Sequence, residues 1–296
     1  MNKANSIDFS FEYGVCDKIT PLVRRVIANN PGPFTYTGTG TYIIGSNELA
    51  VIDPGPVDND HLEAILSITK NQKITHIIVT HTHNDHSPLS KYLQEKTGAL
   101  IYSFNENDIN TGDENKFEEG YDKEFKCDVG VKDGDIIKGK DWTLQAIHTP
   151  GHTSNHLCYS LEEEKILFSG DHVMGWSTTV IVPPDGNMEE YMQSLEKLLQ
   201  RNDKYYLPTH GKMIKNPQDL VKKYISHRIT RENQIEEAIK SGNNKVIDIV
   251  KIIYADVDKK LYPAASMSTL AHLKRMIDNG QIKVSGSNLD GFYEIN

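Results

Sequence analysis

Between residues 41 and 210 the chain alternates short β-branched apolar runs with stretches of helical spacing, and several runs stop abruptly at Gly, His or Asp. Runs of this length and composition read as strands, and amphipathic helices need a sheet to cover. Residues 42–45 and 49–53 flank Ser46-Asn47-Glu48 and predict a hairpin. Leu62, Ile65, Leu66 and Thr69 repeat at helical spacing over 58–70, and a strand follows at 75–80. Ser87 is expected to cap a helix reaching Lys96, with Pro88 at its first position. Further strands are expected at 99–104, 142–147, 156–160, 165–168 and 205–207, with a helix at 188–200. Residues 105–122, rich in Asn, Asp, Glu and Gly, read as a surface insertion.

After Asn216-Pro217 the pattern changes. Three amphipathic helices over 218–240, 245–254 and 266–279 precede a hairpin at 281–284 and 292–295. Three helices and a hairpin make a winged-helix pattern, which divides the chain into units at 1–216 and 217–296.

Length and composition limit the function classes. The 296 residues are 38% hydrophobic and 25% charged, ordinary values for a globular chain of one large domain, or one large and one small. No run approaches the ~20 apolar residues that span a bilayer. The opening MNKANSIDFSFEYG lacks a basic-then-apolar leader, so a cytoplasmic location is expected. Cys16, Cys127 and Cys158 are too scattered for a zinc knuckle and read as reduced thiols. The net charge is −9; residues 1–215 carry 20 basic against 31 acidic side chains, and residues 216–296 carry 12 against 10. No global basic field exists to capture nucleic acid, although a local groove can still do so.

The chemistry concentrates in Thr80-His81-Thr82-His83-Asn84-Asp85-His86, where three imidazoles and a carboxylate fall within six positions at a strand exit. Alternation turns His81 and His83 to one side. Imidazole with carboxylate suits zinc, manganese or ferrous iron. Later strand ends supply His152, Asp171 and His210, each beside Gly, where the backbone can turn sharply.

Asp53-Pro54-Gly55, HTHNDH, Gly151-His152-Thr153, Gly170-Asp171 and Thr209-His210-Gly211 together resemble the five motifs of the metallo-β-lactamase-fold hydrolases. The resemblance implies an α+β fold, a four-layer αββα sandwich with two divalent ions, most simply Zn2+, at one sheet edge. Carried across, His81, His83 and His152 would bind the first ion. Asp85, His86 and His210 would bind the second, and Asp171 would bridge them. Asp85 and Asp171 would be the catalytic carboxylates. The run VRRVIANNPGP, the phrase LFSGD, the helix segment YISHR at 224–228 and the trailing winged helix are similar to the β-lactamase-like protein 2 group, one member of which is regarded as a single-stranded RNA endonuclease. Thr82, Thr209 and Gly40 depart from the residues usual in that family.

Such a site acidifies a bridging water from a pKa of ~15.7 to about 7, so hydrolysis uses every part of it. Asp53 is expected to hydrogen-bond a ligating imidazole rather than a metal. His148, His156 and His172 read as packing or supporting groups. Tyr224, His227 and Arg228 share a helix face, and Trp176 follows Asp171 by five residues; these four are candidates for substrate contact. The substrate expected is single-stranded RNA, or a small thioester, ester or lactone as in glyoxalase II-type relatives. A membrane partner is not expected, and a second copy of the chain is the expected assembly partner. Asp171 and the absent export signal disfavour an antibiotic-degrading β-lactamase, and His83 disfavours the di-iron reductase pattern HxExDH.

Overall fold

A computed structural model describes residues 9–104, 120–286 and 288–296. The first sheet begins at the edge with β1 (Asp17–Lys18) and β2 (Val23–Ile27), followed by β3 (Gly40–Ile44) and β4 (Glu48–Ile52). It continues through β5 (Lys73–Ile78), β6 (Leu100–Phe104) and β7 (Val129–Val131) in that spatial order. The expected hairpin is β3–β4, with Tyr42 opposite Ile52 and Ile44 opposite Ala50. From β4 to β7 neighbouring strands run parallel, so crossovers are required. Helices α1 (Asn59–Thr69) and α2 (Leu89–Thr97) make two of them.

The second sheet places β12 (Tyr205–Pro208) beside β11 (Ile166–Gly170), then β10 (Leu157–Leu161), β9 (Thr143–His148) and β8 (Ile136–Lys138). Only β11 and β12 pair in parallel, across helix α3 (Met188–Leu199). The three-residue strands β7 and β8 were not expected, because such short segments have no readable period. The insertion expected over 105–122 lies mostly outside the described residues.

Three apolar layers stack these elements. Tyr42, Ile44 and Ile52 of the first sheet meet Leu144, Tyr159 and Phe168 of the second between the sheets. Leu62, Ile65, Leu89 and Leu93 of α1 and α2 cover the outer face of the first sheet. Tyr191 and Leu195 of α3 cover the second sheet, together with Val221 and Tyr224 of α4 (Pro217–Lys240). The result is the expected four-layer αββα sandwich.

Helix ends follow simple chemistry. Asp58 accepts from the amides of Asp60 (2.9 Å) and His61 (3.3 Å), and Asn187 accepts from Glu189 (2.9 Å) and Glu190 (3.2 Å). The expected cap of α2 is corrected. Pro88 itself stands at the cap position, and the Ser87 hydroxyl instead donates to Asp122 Oδ2 at 2.9 Å.

The C-terminal unit builds its own core from Ile235 and Ile239 of α4, Ile249 of α5 (Val246–Ile253), Leu273 and Met276 of α6 (Tyr262–Asp278) and Tyr293 of the β13–β14 hairpin (Ile282–Ser285, Phe292–Ile295). Helix α6 starts four residues earlier than the expected 266, because Pro263 sits in its first turn, where no amide is needed. The reading helix of a winged helix would be α6, yet it is docked. Ala271 joins the core beneath α3, and Arg275 pairs with Glu189 of α3 at 2.7 Å. Among the described residues, no helix is long and apolar enough to cross a membrane.

Candidate metal centre

The strand-end residues meet at one edge of the sandwich. His81, His83, Asp85 and His86 follow β5, His152 follows β9, Asp171 follows β11 and His210 follows β12. All seven are buried. Gly170 lets the chain turn into Asp171: its φ is +51°, and a Cβ there would lie 2.4 Å from His156 Nε2.

Two groups form. His81 Nε2 lies 2.9 Å from His83 Nδ1, and His152 Nε2 lies 3.2 Å from that same nitrogen. Beside them, His210 Nε2 is 3.1 Å and His86 Nε2 3.4 Å from Asp85 Oδ2. Asp171 faces both groups: Oδ1 is 3.4 Å from His210 Nε2 and 3.6 Å from His86 Nε2, while Oδ2 is 4.0 Å from His152 Nε2. The donor atoms of His81, His83 and His152 lie within 4.8 Å of one another, as do those of Asp85, His86 and His210. Among the described residues, and with the ring protons on Nδ1, His86 Nε2, His210 Nε2, Asp85 Oδ1 and Asp171 Oδ1 are buried without a well-aligned hydrogen bond. Such orphaned atoms are costly unless a cation satisfies them, so the donor set fits a pair of divalent ions.

The proton states of the three-imidazole group agree with this. Burial, reinforced by neighbouring imidazoles, holds His81 well below the usual histidine range, and burial with His152 pulls His83 down to about 3. Burial also lowers His152. These rings are neutral and carry lone pairs for a metal. Burial alone would raise Asp85 and Asp171, but His86 and His210 outweigh it, holding Asp85 well below the carboxylate range and Asp171 at about 2. Burial would lower His86 and His210, yet the facing carboxylates raise both.

Outer partners fix the tautomers. His152 Nδ1 donates to the Val180 carbonyl at 2.7 Å and His210 Nδ1 to the Gly38 carbonyl at 3.1 Å, so each Nε2 is left for the centre. Asp53 receives the His86 Nδ1 proton at 2.9 Å. It also accepts from the Thr80 amide and hydroxyl, both at 2.8 Å, and from the Thr209 hydroxyl at 2.9 Å. His156 Nε2 accepts from the Asp171 amide at 3.1 Å. His148 stacks on Phe104 at 4.4 Å, and His172 packs against Tyr191.

The three departures from the family pattern have partners too. Thr209 adds the hydrogen bond to Asp53. The Gly40 amide donates to the Thr209 carbonyl at 2.8 Å, and a Cβ at Gly40 would press to 3.0 Å from that oxygen. Thr82 Oγ1 accepts from Asn155 Nδ2 at 2.8 Å, tying the HTHNDH segment to the His152 loop.

A cleft of about 530 Å³, partly open to solvent, exposes His83, Asp85, His152 and Asp171 beneath walls that include Pro33, Phe34, Met174 and Trp176. Trp176 therefore lines the cleft, stacked on Tyr36 with centroids 4.8 Å apart. Tyr224, His227 and Arg228 do not line it. The Tyr224 hydroxyl donates to the Met174 and Ser177 carbonyls, and Arg228 donates to the Thr179 carbonyl, so both brace the cleft wall from behind. His227 is exposed. Several residues escape sequence reasoning. Pro33 and Phe34 reach the cleft, and Tyr36 backs its Trp176 wall, from a loop without periodicity, while Tyr121 lies over His83 with ring centroids 4.8 Å apart and its hydroxyl donates to Asp185 at 2.7 Å.

A sandwich of this topology with a buried His/Asp centre at its edge defines a class of metal-dependent hydrolases. The chain belongs to the metallo-beta-lactamase superfamily, whose model matches residues 37–210. Residues 246–291 match the beta-lactamase associated winged helix domain. The Beta-lactamase-like protein 2 homolog of Caenorhabditis elegans is 30% identical over 90% of this chain and 88% of its own length. The atrochrysone carboxyl ACP thioesterase of Aspergillus chevalieri is 31% identical over 77% of this chain and 69% of its own. A beta-lactamase domain protein from Burkholderia ambifaria superposes with a TM-score of 0.81 at 18% identity, covering 99% of this chain and 97% of that one.

Proposed function

We propose that this hydrolase cleaves phosphodiester bonds in single-stranded RNA, with His81, His83 and His152 holding one ion, Asp85, His86 and His210 the other, and Asp171 shared. Zinc suits the three-imidazole group, and zinc, manganese or iron suits the mixed imidazole–carboxylate one. When bound, the ions supply Lewis acidity and a water made acidic enough to attack near neutral pH. The protein's own groups do the rest. Asp53 orients His86, the Val180 and Gly38 carbonyls orient His152 and His210, and His156 sets the Asp171 backbone. Trp176 and Phe34 line the cleft with aromatic surface against which a base can pack.

The observation that supports the RNA reading is the correspondence with a beta-lactamase-like protein 2 homologue over 90% of this chain, together with the associated winged-helix match at 246–291. A second reading, thioester hydrolysis, is favoured by the 31% identity to an ACP thioesterase. Both use the same centre, since either electrophile accepts the same attacking water.

The test is a parallel assay. Metal-analysed protein is given a single-stranded RNA 20-mer, a glutathione or CoA thioester and a lactone, alongside Asp171→Ala. RNA cleavage, lost in Asp171→Ala together with a drop from about two bound metals per chain, is the expected result. Cleavage of the thioester alone overturns the nuclease reading, and RNA cleavage persisting in Asp171→Ala identifies a contaminant.

A further inference from the structure

A second groove lies immediately behind the cleft wall. Met174 and Trp176 face the cleft, while Gly175 between them lines the groove. On the other side, His210 belongs to the metal centre and Lys212 lines the groove. The 174–176 and 210–212 segments pack on each other, a Cβ at Gly175 coming within 2.8 Å of the Lys212 carbonyl oxygen, and together they part the cleft from the groove.

The groove is cationic within an acidic body. Lys18, Arg25, Lys212 and Lys215 line it, and none of the described residues lining it is acidic. Arg25 is already engaged: it donates to the Gly211 carbonyl at 3.2 Å and to Asp17 at 3.1 Å, which anchors the groove floor to the His210 loop. Its guanidinium also lies 5.0 Å from the centre of the Phe9 ring, and Phe11 stacks on Phe9 at 5.3 Å. Lys18, Lys212 and Lys215 have exposed side chains. Exposed lysines beside the Phe9 side chain make a surface suited to single-stranded nucleic acid, whose phosphates the charges can pair.

We propose that this groove is the track for the RNA strand flanking the bond held in the cleft, with Lys18 and Lys215 pairing its phosphates. The proposal rests on the RNA reading of the cleft. A strand seated there crosses the Gly175 partition, so its scissile phosphate reaches the centre while its neighbours stay in the groove. Specificity then follows length: a substrate must be long enough to occupy both.

The test compares wild type with Lys18→Ala/Lys215→Ala, each holoenzyme, on a single-stranded RNA 20-mer and on bis(p-nitrophenyl) phosphate, which is too short to span both. Cleavage is followed from 50 to 200 mM salt, with melting curves to verify the fold. Losing two phosphate contacts should flatten the slope of log kcat/KM against log salt by about 1.4, at ~0.7 per contact. At the lowest salt, kcat/KM on the 20-mer should fall about tenfold, by more than on the small diester. Equal salt slopes, or equal losses on both substrates, overturn the groove while leaving the RNA reading intact. Wild-type protein that leaves the 20-mer whole but cleaves a thioester carried on an acidic protein overturns both.

Discussion

Asp53 is the residue on which the metal centre leans most without joining it. Its φ of +47° lies in the left-handed region, where a non-glycine residue is uncommon, and its carboxylate accepts four hydrogen bonds from Thr80, His86 and Thr209. The strained backbone is held by this network. Asp53→Asn keeps the shape but replaces one acceptor with a donor, so His86 loses its orienting charge. Metal affinity should fall ~10–100-fold, measured by competition with a chromophoric chelator, with far-UV circular dichroism unchanged. The ligands themselves are legible in sequence because their chemistry is local: His and Asp at strand exits beside Gly leave few other readings. Thr209 is not legible in that way. Its value comes from a carboxylate 156 positions away.

At the scale of elements, α4 serves both cores. Its first turns pack on the second sheet through Val221 and Tyr224, and its last turns pack in the C-terminal core through Ile235 and Ile239. Periodicity exposes the helix and its amphipathic face, but not which neighbours that face meets. The Tyr224–His227–Arg228 face is by spacing a candidate either for substrate contact or for solvent; in the fold Tyr224 and Arg228 brace the 174–179 segment and His227 meets solvent. Tyr224→Phe removes a donor shared by two loop carbonyls and should cost about 1 kcal/mol of stability in urea unfolding. Amide exchange over 174–180 should quicken, and kcat/KM should drop several-fold, because Met174 and Ser177 shape the cleft.

At the scale of the whole molecule, the C-terminal unit is fixed to the sandwich by a buried polar group. His272 Nδ1 lies 3.2 Å from Glu232, Glu232 also receives Arg275, and Arg275 reaches Glu189 of α3. Burial depresses His272 to about 4, against the opposing pull of Glu232. The unfolded chain, with an ordinary histidine pKa near 6.5, thus binds more protons between about pH 6.5 and 4. Stability contributed by neutral His272 is present above that window and is lost as pH falls through it. Between pH 7 and 5 the loss should be on the order of 1–2 kcal/mol. His272→Gln, which cannot titrate, should flatten the fall in melting temperature over that range; an unchanged slope counts against the assignment.

Residue types and their order along the chain suffice for the strand-helix alternation, the trailing three helices and hairpin, and the identity of the side chains at the centre. Each of these depends on residue type and on spacing along a few turns or one strand. Tertiary structure alone decided that Trp176 stacks on Tyr36, that the Val180 and Gly38 carbonyls choose the tautomers of His152 and His210, and that α6 is docked rather than free. Those outcomes depend on loops and layers distant in the chain meeting at fixed distances, and no local period encodes a distance.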